Sequence, residues 1–152
     1  METSILCNNE SMTMPMYITD GGRIQAGYRG YTHGDCVTRA VAIAAGLPYQ
    51  EAYDLVNRII GEDVDGDRSS ARTGVAKELT RKVFESLGFT WVPTMKIGSG
   101  CTVHLRADEL PSGTIVANLS KHVAAVIDGV LYDSHDSSRD GTRCVYGYWT
   151  RT

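Results

Sequence analysis

Three side chains in this chain have the types and spacing for thiol chemistry: Cys36, His122 and Asp133. Cys36 opens an apolar run in which Val37, Ala40, Val41 and Ala44 recur at three and four, so they share one helix face. Ile43 and Ala45 fall off that stripe, which predicts a helix that is apolar nearly all round and buried. Asp35 suits the N-cap and Gly46 the C′ position. Cys36 then stands in a first turn, where backbone N–H groups and the helix dipole favour a thiolate. A buried structural cysteine is the plainer alternative.

The histidine and the aspartate follow from hairpin arithmetic. Asp128-Gly129 is a two-residue turn signal between Val-rich runs. It pairs Ile127 with Val130, Val126 with Leu131 and Ala125 with Tyr132, and by extension sets His122 opposite His135. His122, Ala124, Asp133 and His135 then share a face, with Asp133 the diagonal neighbour of His122. A strand histidine backed by a carboxylate is the orienting half of a Cys-His-Asp triad. The carboxylate fixes the imidazole tautomer, and the imidazole takes the thiol proton and returns it to a leaving group. His135 and Asp136 are reserves for the third role if the register slips. Taken alone, His122 reads as a satisfied strand-start histidine and Asp133 as a strand-end turn residue.

The elements that must carry these residues are read in order. Residues 1–20 are polar and methionine-rich and are expected to form a loose extension ending in a short strand at Met16-Tyr17-Ile18, with residues 21–152 as a single domain. Asp20-Gly21-Gly22 signals a turn. Leu47-Pro48 opens a second helix with Ala52, Tyr53, Val56 and Ile59 or Ile60 inward, and Gly61 stops it. The acidic loop from Glu62 to Asp67 lacks the glycine and glutamate of a calcium loop and reads as solvated. A third helix is expected over 73–87, with Val75, Leu79, Val83 and Leu87 on one face. Strands follow at 89–93, 114–119, 122–127, 130–134 and 144–149, with one helical turn at 107–110. Helices first and antiparallel strands last predict an α+β domain.

Composition bounds the partners. A net charge of −3 over 152 residues gives no electrostatic case for nucleic acid. No apolar run reaches membrane-spanning length and no signal pattern opens the chain, so a cytoplasmic protein is expected. The four cysteines are scattered, and in a reducing compartment they are expected to be unpaired, catalytic or metal-bound. His33-x-x-Cys36 and Cys101-x-x-His104 have zinc-like spacing, so a tetrahedral site built from His33, Cys36, Cys101 and His104 is the main rival to the triad. A non-catalytic binding protein is a third reading. Arg39, on a buried helix, is expected to pair internally.

A helix-leading Cys36 followed far downstream by a hairpin with His122 and then Asp133 resembles the papain-like cysteine peptidases in chain order. The stretch His122-Val123-Ala124-Ala125-Val126 resembles the histidine strand of bacteriocin-processing peptidases. Gly34-Asp35-Cys36-Val37-Thr38-Arg39-Ala40 resembles the cysteine motif of the ovarian-tumour deubiquitinases. Over most of its length the chain looks most like an uncharacterised family of small bacterial and phage proteins, through Asp20–Arg23, Gly34–Ala40, Gly98–Leu110 and Asp140–Trp149.

The resemblance implies a papain-like fold, with the Cys36 helix packed on a C-terminal antiparallel sheet. It implies thiol-dependent hydrolysis or acyl transfer on a protein or peptide substrate, as a peptidase, isopeptidase or deamidase, with no cofactor. Papain-like enzymes place an oxyanion-donating Gln about six residues before the cysteine. Gly30 stands there instead, so Gln25, Tyr31 and Thr32 are the oxyanion candidates beside the Cys36 backbone N–H. Substrate and oligomeric state are left open by the sequence.

Overall fold

The Asp128-Gly129 dipeptide makes the turn its chemistry dictates. Both residues have positive φ, 49° and 80°, the combination a two-residue hairpin needs to match strand twist. The turn joins β5 (His122–Ile127) to β6 (Val130–Asp133), and the register is Ala125↔Tyr132, Val126↔Leu131 and Ile127↔Val130, as expected. The computed structural model describes residues 5–6, 14–28, 35–61, 75, 77–96 and 98–151. The expected acidic loop at 62–67, along with His33, Tyr31, Thr32 and Cys7, lies outside the described residues.

The chain is α+β, and it divides into two compact units, residues 20–89 and residues 1–19 with 90–152.

The first unit is helical. α1 (Cys36–Ala45) buries Val37, Thr38, Arg39, Ala40, Val41, Ala42 and Ala44, which is the nearly all-round burial its composition requires. Gly46 ends it in the left-handed conformation, its N–H donating to the Ala42 carbonyl. α2 (Tyr49–Gly61) turns Tyr49, Ala52, Val56 and Ile60 inward. α3 (Lys77–Ser86) buries Leu79, Thr80, Val83 and Phe84 and is shorter than the expected 73–87, much of whose N-terminal part lies outside the described residues. The rings of Tyr28, Tyr49 and Tyr53 pack in tilted and edge-on contacts, with centroids 4.6 Å apart for Tyr28 and Tyr53.

The second unit is one mixed sheet. Its order is β1 (Ile5–Leu6), β2 (Met16–Ile18), β6, β5, β4 (Thr114–Leu119), β7 (Gly147–Thr150) and β3 (Thr90–Pro93). Two findings correct the expectation of an antiparallel sheet behind a loose N-terminal segment. The short strand expected at Met16-Tyr17-Ile18 is β2 as predicted, but it pairs parallel to β6, with Tyr17 opposite Tyr132, and β1 pairs with it. The strand expected at 144–149 starts later, at Gly147, while Cys144 makes an isolated bridge with His104.

Period-two alternation sends Ile115, Ala117 and Leu119 of β4, Ala124 and Val126 of β5 and Leu131 of β6 to one face. Leu105, Leu110, Val145, Met14 and Met16 complete that buried cluster. Full burial of each aliphatic chain is worth about 1.5–3 kcal/mol, so this cluster is the rigid bed for whatever stands at its margin.

The sulfurs of Cys101 and Cys144 are joined in a disulfide, across 43 positions of sequence. The expectation that the cysteines are unpaired is therefore wrong for these two. The sequence offered no signal for the pairing, because it depends on the loop through residue 101 returning to the chain that leads into β7.

No helix among the described residues is long and apolar enough to cross a membrane.

Candidate functional site

His122 begins β5 and Asp133 ends β6, and both project from the face that carries Ala124, Val126 and Leu131. The hairpin register therefore delivers them to the margin of the core cluster. His122 Nε2 lies 2.6 Å from Asp133 Oδ2. The carboxylate is 1 % exposed and the imidazole 13 % exposed.

A carboxylate so deeply buried must have its oxygens satisfied. The Ser134 backbone N–H donates to Oδ1 at 2.7 Å, and the Ser137 hydroxyl donates to Oδ2 at 2.7 Å. The Asp133 backbone is fixed from its other side, where its carbonyl accepts the Thr19 N–H at 2.9 Å beside β2. With Nε2 engaged by Asp133, proton exchange with a substrate or nucleophile falls to Nδ1 of the same ring.

Two contributors had no visible signal in the sequence. One is Ser137, fully buried on the turn after β6. The other is Arg143, whose guanidinium donates to the Ser120 carbonyl at 2.7 Å and to the Ser137 carbonyl at 3.4 Å. Ser120 lies in the β4–β5 turn that leads into His122, so one cation ties the approach to the histidine to the turn supporting the aspartate. Burial and the neighbouring Arg139 charge lower the Arg143 pKa, while Asp133 and Tyr146 pull the other way.

Cys36 is the first residue of α1, in the helical unit. It is half-buried and lies outside any disulfide among the described residues. The preceding residue departs from expectation. Asp35 occupies the N-cap position but makes no side-chain capping bond. Its Oδ1 accepts from Arg39 Nη1 at 2.6 Å and its Oδ2 from the Tyr49 hydroxyl at 2.9 Å. Arg23 Nε stands 3.7 Å away. The internal partner expected for Arg39 is therefore Asp35, one turn back.

The turn holding Arg23 explains the Asp20-Gly21-Gly22 signal. Asp20 accepts the N–H groups of Gly22 and Ile24, and Gly21 has φ +73 with its Cα against Arg39, where a Cβ would come within 3.0 Å of Cγ. Two guanidiniums surround one carboxylate, so the Asp35 charge beside Cys36 is more than compensated. Burial first, and then the Asp35 charge and hydrogen bond, push the Tyr49 phenol well above its ordinary pKa.

The remaining sequence candidates separate. Gln25 lies exposed in the turn at 21–27, while Tyr31 and Thr32 lie outside the described residues. The zinc set of His33, Cys36, Cys101 and His104 is overturned at Cys101, whose sulfur is bonded to Cys144 and cannot serve as a thiolate ligand. His104 Nδ1 instead lies 3.1 Å from Glu109 Oε1. Burial pushes the Glu109 carboxyl up, but the His104 hydrogen bonds and the Arg106 charge outweigh it and hold the carboxyl below its ordinary value.

His135 is exposed, with its ring centroid 5.4 Å from that of His122 and its Nδ1 3.1 Å from the Ser134 hydroxyl. Asp136 accepts from the backbone and hydroxyl of Ser138. Neither of these two reserves stands where Asp133 does. The arrangement can hold an imidazole in one tautomer and stabilise its protonated form. No family model, curated protein or solved structure matches this chain.

Proposed function

We propose that this chain is a thiol-dependent hydrolase or acyl transferase of papain-like fold, acting on a peptide, isopeptide or side-chain amide. It is proposed to belong to the bacterial and phage family it resembles. The observation that carries the reading is the 2.6 Å contact between His122 and a buried Asp133 that also has two further donors.

In the proposed cycle, His122 takes the proton from Cys36 Sγ as the sulfur attacks the amide carbonyl and the S–C bond forms. The oxyanion that develops needs N–H donors, of which the Cys36 backbone N–H is the first candidate. The C–N bond then breaks as His122 returns the proton to the departing nitrogen, leaving a thioester. Water, deprotonated by the same imidazole, attacks the thioester and the thiol leaves with its proton restored. Asp133 keeps Nε2 protonated and stabilises the imidazolium in both halves. No cofactor enters. The Cys101–Cys144 bond favours oxidising surroundings over the reducing cytoplasm, where such bonds are rare.

A peptide vinyl sulfone of mixed sequence, followed by intact-mass and peptide mass spectrometry, tests the reading. One adduct on Cys36, absent in His122→Ala, is expected. Equal labelling in wild type and variant would remove the imidazole from the mechanism.

A further inference from the structure

We propose that His122, Asp133 and His135 form a binding site for a divalent transition metal of the zinc type. The three ligand atoms, two imidazole nitrogens and one carboxylate oxygen, lie within 4.8 Å of one another. Two imidazoles and a carboxylate are a donor set that borderline first-row cations take, leaving positions open for water. Hard cations such as Mg²⁺ and Ca²⁺ prefer all-oxygen shells and are not the expected occupants.

The geometry needs little adjustment. Ligands at about 2.0–2.2 Å from a tetrahedral zinc lie roughly 3.3 Å apart. His122 and Asp133, at 2.6 Å, must therefore separate by less than about 1 Å, with the metal entering in place of the shared proton. His135 is exposed and can close on the site by turning its ring. Its Nδ1 is held by the Ser134 hydroxyl, so Nε2 is the nitrogen left to ligate. The Ser137 hydroxyl still donates to Asp133 and orients it, as outer partners of metal ligands do.

The site uses the same imidazole that the proposed function assigns as base. Occupancy takes the Nε2 proton and lone pair, and sets a cation beside the ring. The metal would therefore silence the thiol chemistry. That consequence rests on the hydrolase reading, whereas the binding itself does not.

The experiment is a zinc titration of the full chain against a chromophoric chelator, in the Cys36→Ala background so that no thiolate at position 36 competes. One Zn²⁺ per chain is expected, with affinity falling at least about tenfold in Cys36→Ala/His135→Ala. Unchanged affinity in that variant, or no zinc bound at all, overturns the proposal.

In the otherwise wild-type chain, Zn²⁺ is expected to slow Cys36 alkylation by iodoacetamide, and a chelator to restore it. If zinc binds through His135 without slowing alkylation, the metal site stands and the assignment of His122 to Cys36 falls. If zinc does not bind but alkylation still depends on His122, the metal site falls and the hydrolase reading stands.

Discussion

Replacing Asp35 by asparagine removes one charge and almost no volume from a deeply buried ionic cluster of the helical unit. The carboxylate holds Arg39 at 2.6 Å, Tyr49 at 2.9 Å and Arg23 at 3.7 Å, and both ion pairs join side chains only 9 % and 4 % exposed. At the surface such pairs are worth about 0–1 kcal/mol, and losing one would scarcely register. Burial makes the loss far larger. Asparagine takes away the charge that both buried guanidiniums face. Removing one partner of a buried pair costs about 3–5 kcal/mol, against a total stability of about 5–15 kcal/mol for a domain.

Equilibrium urea unfolding measures this directly. With a slope near 2 kcal/mol per molar, the midpoint is expected to fall by about 1.5–2.5 M. Adding Arg39→Met to Asp35→Asn should recover part of the loss, because one of the two buried cations goes with it. The phenol of Tyr49 supplies an independent readout. Burial and Asp35 keep it protonated beyond the ordinary tyrosine range, so its contribution is complete below about pH 10 and fades as pH rises further. In Asp35→Asn the Tyr49 titration, isolated by difference from a Tyr49→Phe control, should move down. A midpoint change below about 0.5 M, with the phenol titration unmoved, would refute the account of Asp35 as a buried charge hub.

Other substitutions probe the sheet unit. Asp133→Asn should cost about 1.5–3 kcal/mol in thermal or urea unfolding, since a buried charge-assisted bond is lost. Its amide would also donate to Nε2 and push the ring proton to Nδ1, lowering turnover on a substrate by about 10²–10⁴-fold. Gly147→Ala should destabilise by about 1–3 kcal/mol in a thermal melt, because a Cβ there would run into the Trp91 ring across the β3–β7 pairing. Reducing Cys101–Cys144, or replacing both by serine, frees a closed loop spanning 43 positions and should cost roughly 4 kcal/mol at most on chain entropy, read as a fall in Tm.

The parts of this fold that local chemistry governs were legible in advance. Asp128-Gly129 set the β5–β6 register, and with it the meeting of His122 and Asp133. Gly46 and the three-four stripe set the limits of α1. Residues whose role depends on distant neighbours were not legible. Asp35 has every local quality of an N-cap. Arg39 one turn on, together with Arg23 and Tyr49 from other segments, draws its carboxylate away from the helix end. The parallel pairing of β2 with β6, the Cys101–Cys144 bond, and the hold of Arg143 on the Ser120 carbonyl likewise arise between segments far apart in sequence. Cys101 shows how spacing misleads: a Cys-x-x-His pair looks like half a zinc site until the sulfur finds another cysteine.

The central proposal is that His122 serves as the base for the Cys36 thiol. Its most direct test is the pH dependence of Cys36 alkylation by iodoacetamide, mapped by mass spectrometry in wild type and in His122→Ala. The account predicts that Cys36 reacts well below the ordinary thiol pKa of about 8.5, and that the variant loses this low-pH reactivity. A Cys36 that is inert at every pH, or that reacts identically in both proteins, would contradict it.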